Sequence, residues 1–93
     1  SQNAQMKDIS QTINKYYISI NAKNNKGVIG KIGTICANHD ISLASIVQRC
    51  VSEDNTADIT VITELVKEEN MQKAIKLIEQ DGNKVNSLIR VQV

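Results

Sequence analysis

From Tyr16 onward the chain moves between two hydrophobic periods. In YYISINAK, Tyr16, Ile18, Ile20 and Ala22 alternate with Tyr17, Ser19, Asn21 and Lys23. Period two predicts a half-buried strand, because successive strand side chains point to opposite faces. Asn24-Asn25-Lys26-Gly27 is turn chemistry. Val28, Ile29, Ile32, Ile35 and Cys36 then follow helical spacing, with Lys31 and Asn38 outward. That helix is expected to begin at Gly27–Val28 and to stop near His39–Asp40. In ISLASIVQRCV, Ile41 and Leu43 alternate, but Ile46 and Val47 stand side by side. The phase slip predicts a strand with a bulge or bend at Ser45–Ile46. SEDNT, residues 52–56, reads as a hairpin turn. ADITVITEL alternates again, Ala57, Ile59, Val61, Thr63 and Leu65 against Asp58, Thr60, Ile62 and Glu64. Met71, Ala74, Ile75 and Ile78 form the apolar stripe of a second helix, which DGN at 81–83 ends, with Gly82 as a left-handed cap. The last strand is expected to place Ile89, Val91 and Val93 on its inner face.

The element order is strand, helix, strand, strand, helix, strand. Two β-α-β halves with right-handed crossovers close most economically as one four-stranded antiparallel sheet with both helices on one face. The predicted fold class is therefore α+β, a ferredoxin-like βαββαβ sandwich. The other sheet face is expected to be mostly polar, with Ser19, Asn21, Asp58, Thr60, Arg90 and Gln92, but to carry Ile62 and Leu88 for contact with a partner. Residues 1–15 are polar and weakly patterned. They are expected to be a disordered or linker segment, with a short turn over 9–14, ahead of a domain spanning 16–93. The opening SQNAQ is compatible with an artificial leader, Met6 lying near the start of the natural segment.

Composition narrows the chemistry. Ninety-three residues make one domain. The core must be aliphatic, since the chain has no Phe or Trp and only two Tyr. Eleven basic and ten acidic residues leave a net charge of +1, without the basic surplus of a nucleic-acid binder. No apolar run is long enough for a membrane span, and no signal-peptide pattern precedes the domain. Cys36 and Cys50 fit neither a disulfide framework nor a paired metal motif. They read as buried thiols of a cytoplasmic protein. His39 falls at a helix end, where a cation is favourable, and no Ser or Cys has an evident His partner. Glu53, Asp54, Glu64, Glu68 and Glu69 read as solvated acids or helix N-terminal charges. No catalytic residue, metal site or bound cofactor is expected in this chain, and GVIGKIG matches neither a phosphate-binding loop nor a dinucleotide fingerprint.

The stretch that remains is NNKGVIGKIG, residues 24–33. A helix starting at Gly27–Val28 has unpaired backbone N–H groups and partial positive charge in its first turn. Gly27 lets a ligand approach the backbone. Asn24 and Asn25 offer amide donors and acceptors, and Lys26 a cation for a carboxylate. Gly30 and Gly33 each cost the helix about 1 kcal/mol relative to Ala, a cost that close approach of another helix or subunit would offset. The same residues also serve simply as turn formers.

Residues 16–93 resemble an ACT domain, the small-molecule-sensing module of amino-acid metabolism. The first loop of that family usually reads Asp-x-Pro-Gly-Val/Ile-Leu-Ala/Gly-x-Ile, and NNKGVIGKI matches from Gly27 onward. HDISLASIVQR resembles the family's next strand. ADITVIT, VKEENMQKAI and VNSLIRV look most like the C-terminal ACT domain of bacterial homoserine dehydrogenases, as does the YY opening. The resemblance implies a regulatory piece under end-product control, typically by threonine, on the route to threonine, methionine and isoleucine. It implies an effector site at Asn24, Asn25, Lys26, Gly27, Val28, Ile29, Ile41 and Ser42, pairing of ACT domains as a homodimer, and NAD(P) only in a separate catalytic domain. Asn24 stands where Asp is common and Lys26 where Pro is common. An oligomerisation-only ACT domain, or the ACT domain of another enzyme such as aspartokinase, is the alternative. RNA-recognition modules of similar fold carry aromatics on central strands, where this chain has Tyr17, Ser19 and Asn21. Acylphosphatases need an arginine in the first loop, where this chain has Lys26.

Overall fold

Strand β1 (Ile13–Lys23) is the spine of the sheet. It pairs antiparallel with β3 (Thr56–Thr63) on one side and β5 (Lys84–Val91) on the other. Strand β2 (Leu43–Val51) lies outside β3, so the order is β2-β3-β1-β5. Helices α1 (Val28–Asn38) and α2 (Glu68–Gln80) cover one face, which gives the expected α+β ferredoxin-like βαββαβ topology. This computed structural model describes residues 8–23, 26–51 and 53–91, without the side chains of Cys50 and Val51. The expectations for residues 1–7, Asn24, Asn25, the Cys50 thiol, Gln92 and Val93 lie outside the described residues.

The inner rows of the sheet form the core as the alternation predicts. Tyr16, Ile18, Ile20 and Ala22 of β1 and Ile59 and Val61 of β3 meet Val28, Ile32 and Cys36 of α1 and Met71, Ala74, Ile75 and Ile78 of α2. Each buried aliphatic side chain contributes roughly 1.5–3 kcal/mol of transfer free energy, so these rows are what hold both helices to the sheet.

Four boundaries and phases differ from the sequence reading. First, β1 begins at Ile13 rather than Tyr16, because Ile13 and Asn14 pair with a two-residue strand, β4 (Val66–Lys67). A short 3-10 turn, Ile9–Gln11, leads into it, capped by the Asp8 carboxylate, which accepts from the Ser10 N–H at 3.0 Å. Second, β3 ends at Thr63, and Leu65, expected inside, is exposed while Val66 is buried. The buried Thr63 hydroxyl accepts the Tyr16 N–H at 3.0 Å and donates to the Glu64 carbonyl at 2.7 Å, so a side chain replaces a ladder bond and the phase shifts. Third, β2 starts at Leu43, and its register slips between Leu43 and Ser45, one residue ahead of the expected bulge. Fourth, β5 has the opposite phase to that expected. Its register with β1 passes from Ser19↔Ser87 to Ile20↔Val85, so Asn86 is the extra residue of a bulge. Val85 and Leu88 therefore both pack on the core, while Ile89 and Val91 face outward.

Candidate functional site

Gly27 sets the start of α1. Its φ of 85° and ψ of 3° are left-handed, a conformation that costs any residue with a Cβ, and its carbonyl accepts the Lys31 N–H at 2.9 Å. Gly27 has no side chain with which to cap the helix, and the first turn holds no acid. The first-turn N–H groups of α1 thus meet no protein anion among the described residues. Lys26 and Gly27 are exposed; Val28 is buried and Ile29 packs on the core. The apolar pair anchors the turn while the cation and the glycine face solvent.

Lys26, Gly27, Val28 and Ile29 are brought together at this end. Ile41 and Ser42 are not. The Ile41 N–H donates to the Cys36 carbonyl at 2.9 Å, which closes the opposite end of α1, and the Ser42 carbonyl accepts the Glu64 N–H at 2.9 Å. The sheet register agrees: Lys23, just ahead of the loop, pairs with Thr56, whereas Leu43, just after Ser42, pairs with Thr63. An eleven-residue helix is about 16 Å long, so one small ligand cannot touch both groups within a single chain. Nothing lies within 4 Å of the position a Cβ would take at Gly30 or Gly33. No other part of the described chain makes the close approach expected there, which leaves approach by a second copy as the other expectation.

The most densely bonded polar cluster lies elsewhere; the sequence reading took its central residue for a solvated acid or a helix N-terminal charge, and it stands at the helix N-terminus but buried. Glu68, the first residue of α2, is only 3% exposed. Its carboxylate accepts from Arg90 Nε and Nη2, both at 2.8 Å, from Gln72 Nε2 at 2.6 Å and from the Tyr16 hydroxyl. Its backbone N–H donates to the Thr12 carbonyl at 2.9 Å. Hydrogen bonding to Arg90, aided by Tyr16 and Gln72, outweighs desolvation and holds the Glu68 carboxyl down at about 2. Burial, then the bond to Glu68, pushes the Tyr16 hydroxyl up. Each carboxylate oxygen already accepts two donors, so the cluster is a lock between β1, α2 and β5 rather than an open ligand site. A signal was present: Glu68, Met71, Ile75 and Ile78 share one helical stripe.

Cys36 and His39 lie at the C-terminal end of α1. Burial pushes the Cys36 thiol up to about 11, far from a reactive thiolate. His39 follows α1, and its buried Nδ1 has no hydrogen-bond partner. The described residues hold no group of three or more metal-ligating side chains, and none of their helices is long and apolar enough to cross a membrane.

Comparison with known proteins places these features. The family model described as "ACT domain" matches residues 16–83. A curated homoserine dehydrogenase of Neisseria gonorrhoeae is 28% identical over 71 residues, covering 76% of this chain and 16% of its own length. One of Helicobacter pylori is 34% identical over 64 residues, covering 69% of this chain and 15% of its own length. The crystal structure of a homoserine dehydrogenase from Thiobacillus denitrificans superposes with a TM-score of 0.74 at 27% identity, over 91% of this chain and 18% of that one. The chain thus spans less than a fifth of the length of each.

Proposed function

Because the chain belongs to the ACT domain family, and is related to the regulatory domain of homoserine dehydrogenases, we propose that it senses an amino acid, with threonine as the effector, and adjusts the activity of such an enzyme. The observation that carries this reading is the start of α1: a left-handed glycine, an exposed Lys26 beside it, and first-turn N–H groups that the described residues leave without an acidic partner. The carboxylate of a free amino acid supplies the missing negative charge and accepts from those N–H groups. Asn24 and Asn25 have the donors and acceptors to take the ammonium and side-chain ends.

Ser42 lies at the far end of α1 in its own chain, so its part in the same site requires a second copy. A site shared in this way favours one relative arrangement of two copies by the difference in effector affinity between arrangements. A coupling of about 1–3 kcal/mol suffices for useful inhibition. Nicotinamide-dependent chemistry, with NAD(P), belongs in this proposal to a separate catalytic domain.

Calorimetric titration of the chain with threonine, and in parallel with isoleucine, methionine and lysine, tests the proposal. Saturable heat for threonine is expected, weakened by Asn24→Ala. Silence for all four at millimolar concentration reduces the domain to an oligomerisation element, and unchanged binding in Asn24→Ala removes that residue from the site.

A further inference from the structure

We propose that residues 8–14 form a latch that docks and undocks as one unit on the start of α2 while the rest of the domain stays folded. The latch is independent of the effector turn. Its regulatory use, setting the reach between this domain and a catalytic domain joined ahead of Asp8, rests on the proposed regulation of an attached enzyme.

The sequence leaves the start of α2 without a cap of its own. Lys67 holds the position before the first helical residue, where Ser, Thr, Asp or Asn usually accepts a first-turn N–H, and its side chain makes no capping bond. The Glu68 N–H donates instead to the Thr12 carbonyl at 2.9 Å. One residue on, the Glu69 carboxylate accepts from Gln11 Nε2 at 3.3 Å. The helix thus borrows its cap from the segment that enters the sheet.

The parts of that segment engage together. Ile13 and Asn14, seated against Lys67 and Val66, carry the Thr12 carbonyl to Glu68. The 3-10 turn presents Gln11 to Glu69, and its Gln11 and Thr12 N–H groups donate to the Asp8 and Ile9 carbonyls at 3.1 and 3.0 Å. Loss of either anchor frees the other.

What the segment lacks is apolar burial. None of residues 8–14 is buried, and its two isoleucines, Ile9 and Ile13, are 68% and 55% exposed. Among the described residues β5 pairs with β1 only from Lys15 onward, so Ile13 and Asn14 have a ladder on one side alone. Hydrogen bonds exchanged against water add little net stability, and the entropy of ordering the segment opposes them. Segments with few buried apolar contacts open at a lower free energy than the whole domain. Tyr16 marks the fixed end. It is fully buried, its hydroxyl donates to Glu68 and its N–H donates to the Thr63 hydroxyl. Opening therefore stops at Lys15. Docked, the latch fixes where the chain enters the domain; undocked, Asp8 is free to lie up to roughly 23 Å from Lys15.

Amide hydrogen exchange of the isotope-labelled chain, followed by nuclear magnetic resonance at increasing sub-denaturing urea and without threonine, tests this. The amides of Gln11, Thr12 and Glu68 are expected to share one opening equilibrium. They should be protected at least about tenfold over an unstructured chain, yet less than Ile18 and Val61 by at least about tenfold, and nearly independent of urea. Ile59→Val, in the core opposite Ile20, should lower protection at Ile18 and Val61 by roughly two- to tenfold and leave the three latch amides unchanged. Latch amides that match Ile18 and Val61 in rate and urea dependence, or that fall with them in Ile59→Val, show a segment that opens only when the whole domain unfolds. Protection below about tenfold shows a segment that does not dock. A Glu68 amide that exchanges apart from that of Thr12 shows that the helix does not borrow its cap. Each of these results overturns the proposal, and none depends on whether threonine binds.

Discussion

Two helices begin in this chain, and they begin in opposite ways. Helix α2 opens with Glu68 and Glu69 and draws Glu68 inward, where four hydrogen bonds from three side chains consume both carboxylate oxygens. Helix α1 opens on a left-handed glycine with no acid in its first turn and an exposed lysine beside it. The same backbone polarity is present at both starts. At α2 the chain supplies its own anion and uses it to lock β1, α2 and β5 together. At α1 the described residues leave that polarity without a protein anion, the condition under which a dissolved carboxylate can add binding energy. The contrast teaches that a helix start is read by what already satisfies it.

The lock is where the largest effects should appear. Arg90→Ala leaves the buried Glu68 carboxylate without its cation. Arg90 is itself half exposed, so water relieves part of the loss; the expected destabilisation is roughly 2–4 kcal/mol, measured by urea unfolding. If Arg90→Ala costs nothing measurable, the lock contributes no net stability and the contrast between the two helix starts fails.

Acid should release the same lock. The folded-state value of Glu68, about 2, lies below that of an unfolded glutamate, about 4.3. The unfolded chain therefore binds the proton first. The stabilisation is complete above about pH 5 and is lost as pH falls from about 4 toward 2, by an amount on the order of 2–3 kcal/mol. Urea midpoints across that range should fall steeply in the native chain and less steeply in Glu68→Gln. Tyr16→Phe removes one donor and should cost about 1–2 kcal/mol.

How much of this was legible in the sequence follows from where each signal is local. Period two in YYISINAK and the stripe Met71, Ala74, Ile75, Ile78 identified the central strand, the second helix and about half of the core, because each pattern repeats within one element. The left-handed Gly82 was legible for the same reason. The phase of β5 was not. Alternation in VNSLIRV reads equally well either way, and only the bulge at Asn86 against Ser19 and Ile20 selects the observed one. The burial of Glu68 depends on Arg90, which that same bulge turns to the helix side. One non-local irregularity thus hid both the lock and the apolar outer face. For the candidate site, the exposed Lys26–Gly27 turn was legible; the separation of Ser42 from it by the length of α1 required the fold.

The smallest stability effect separates the two helix starts from the other side. Gly30 and Gly33 have open space where a Cβ would stand. Gly33→Ala should therefore stabilise the chain by about 0.5–1 kcal/mol through helix propensity alone. A loss of stability, strongest at high protein concentration, would show instead that a second copy approaches α1 there.

The most direct test of the central claim is residue-resolved. Threonine is titrated into the isotope-labelled chain, and backbone amide shifts are followed by nuclear magnetic resonance. Saturable shifts concentrated at the amides of Gly27, Val28, Ile29 and Gly30, with those of Glu68–Met71 unmoved, are the predicted result. Stationary amides at the start of α1 at millimolar threonine, or shifts centred on the start of α2, would contradict it.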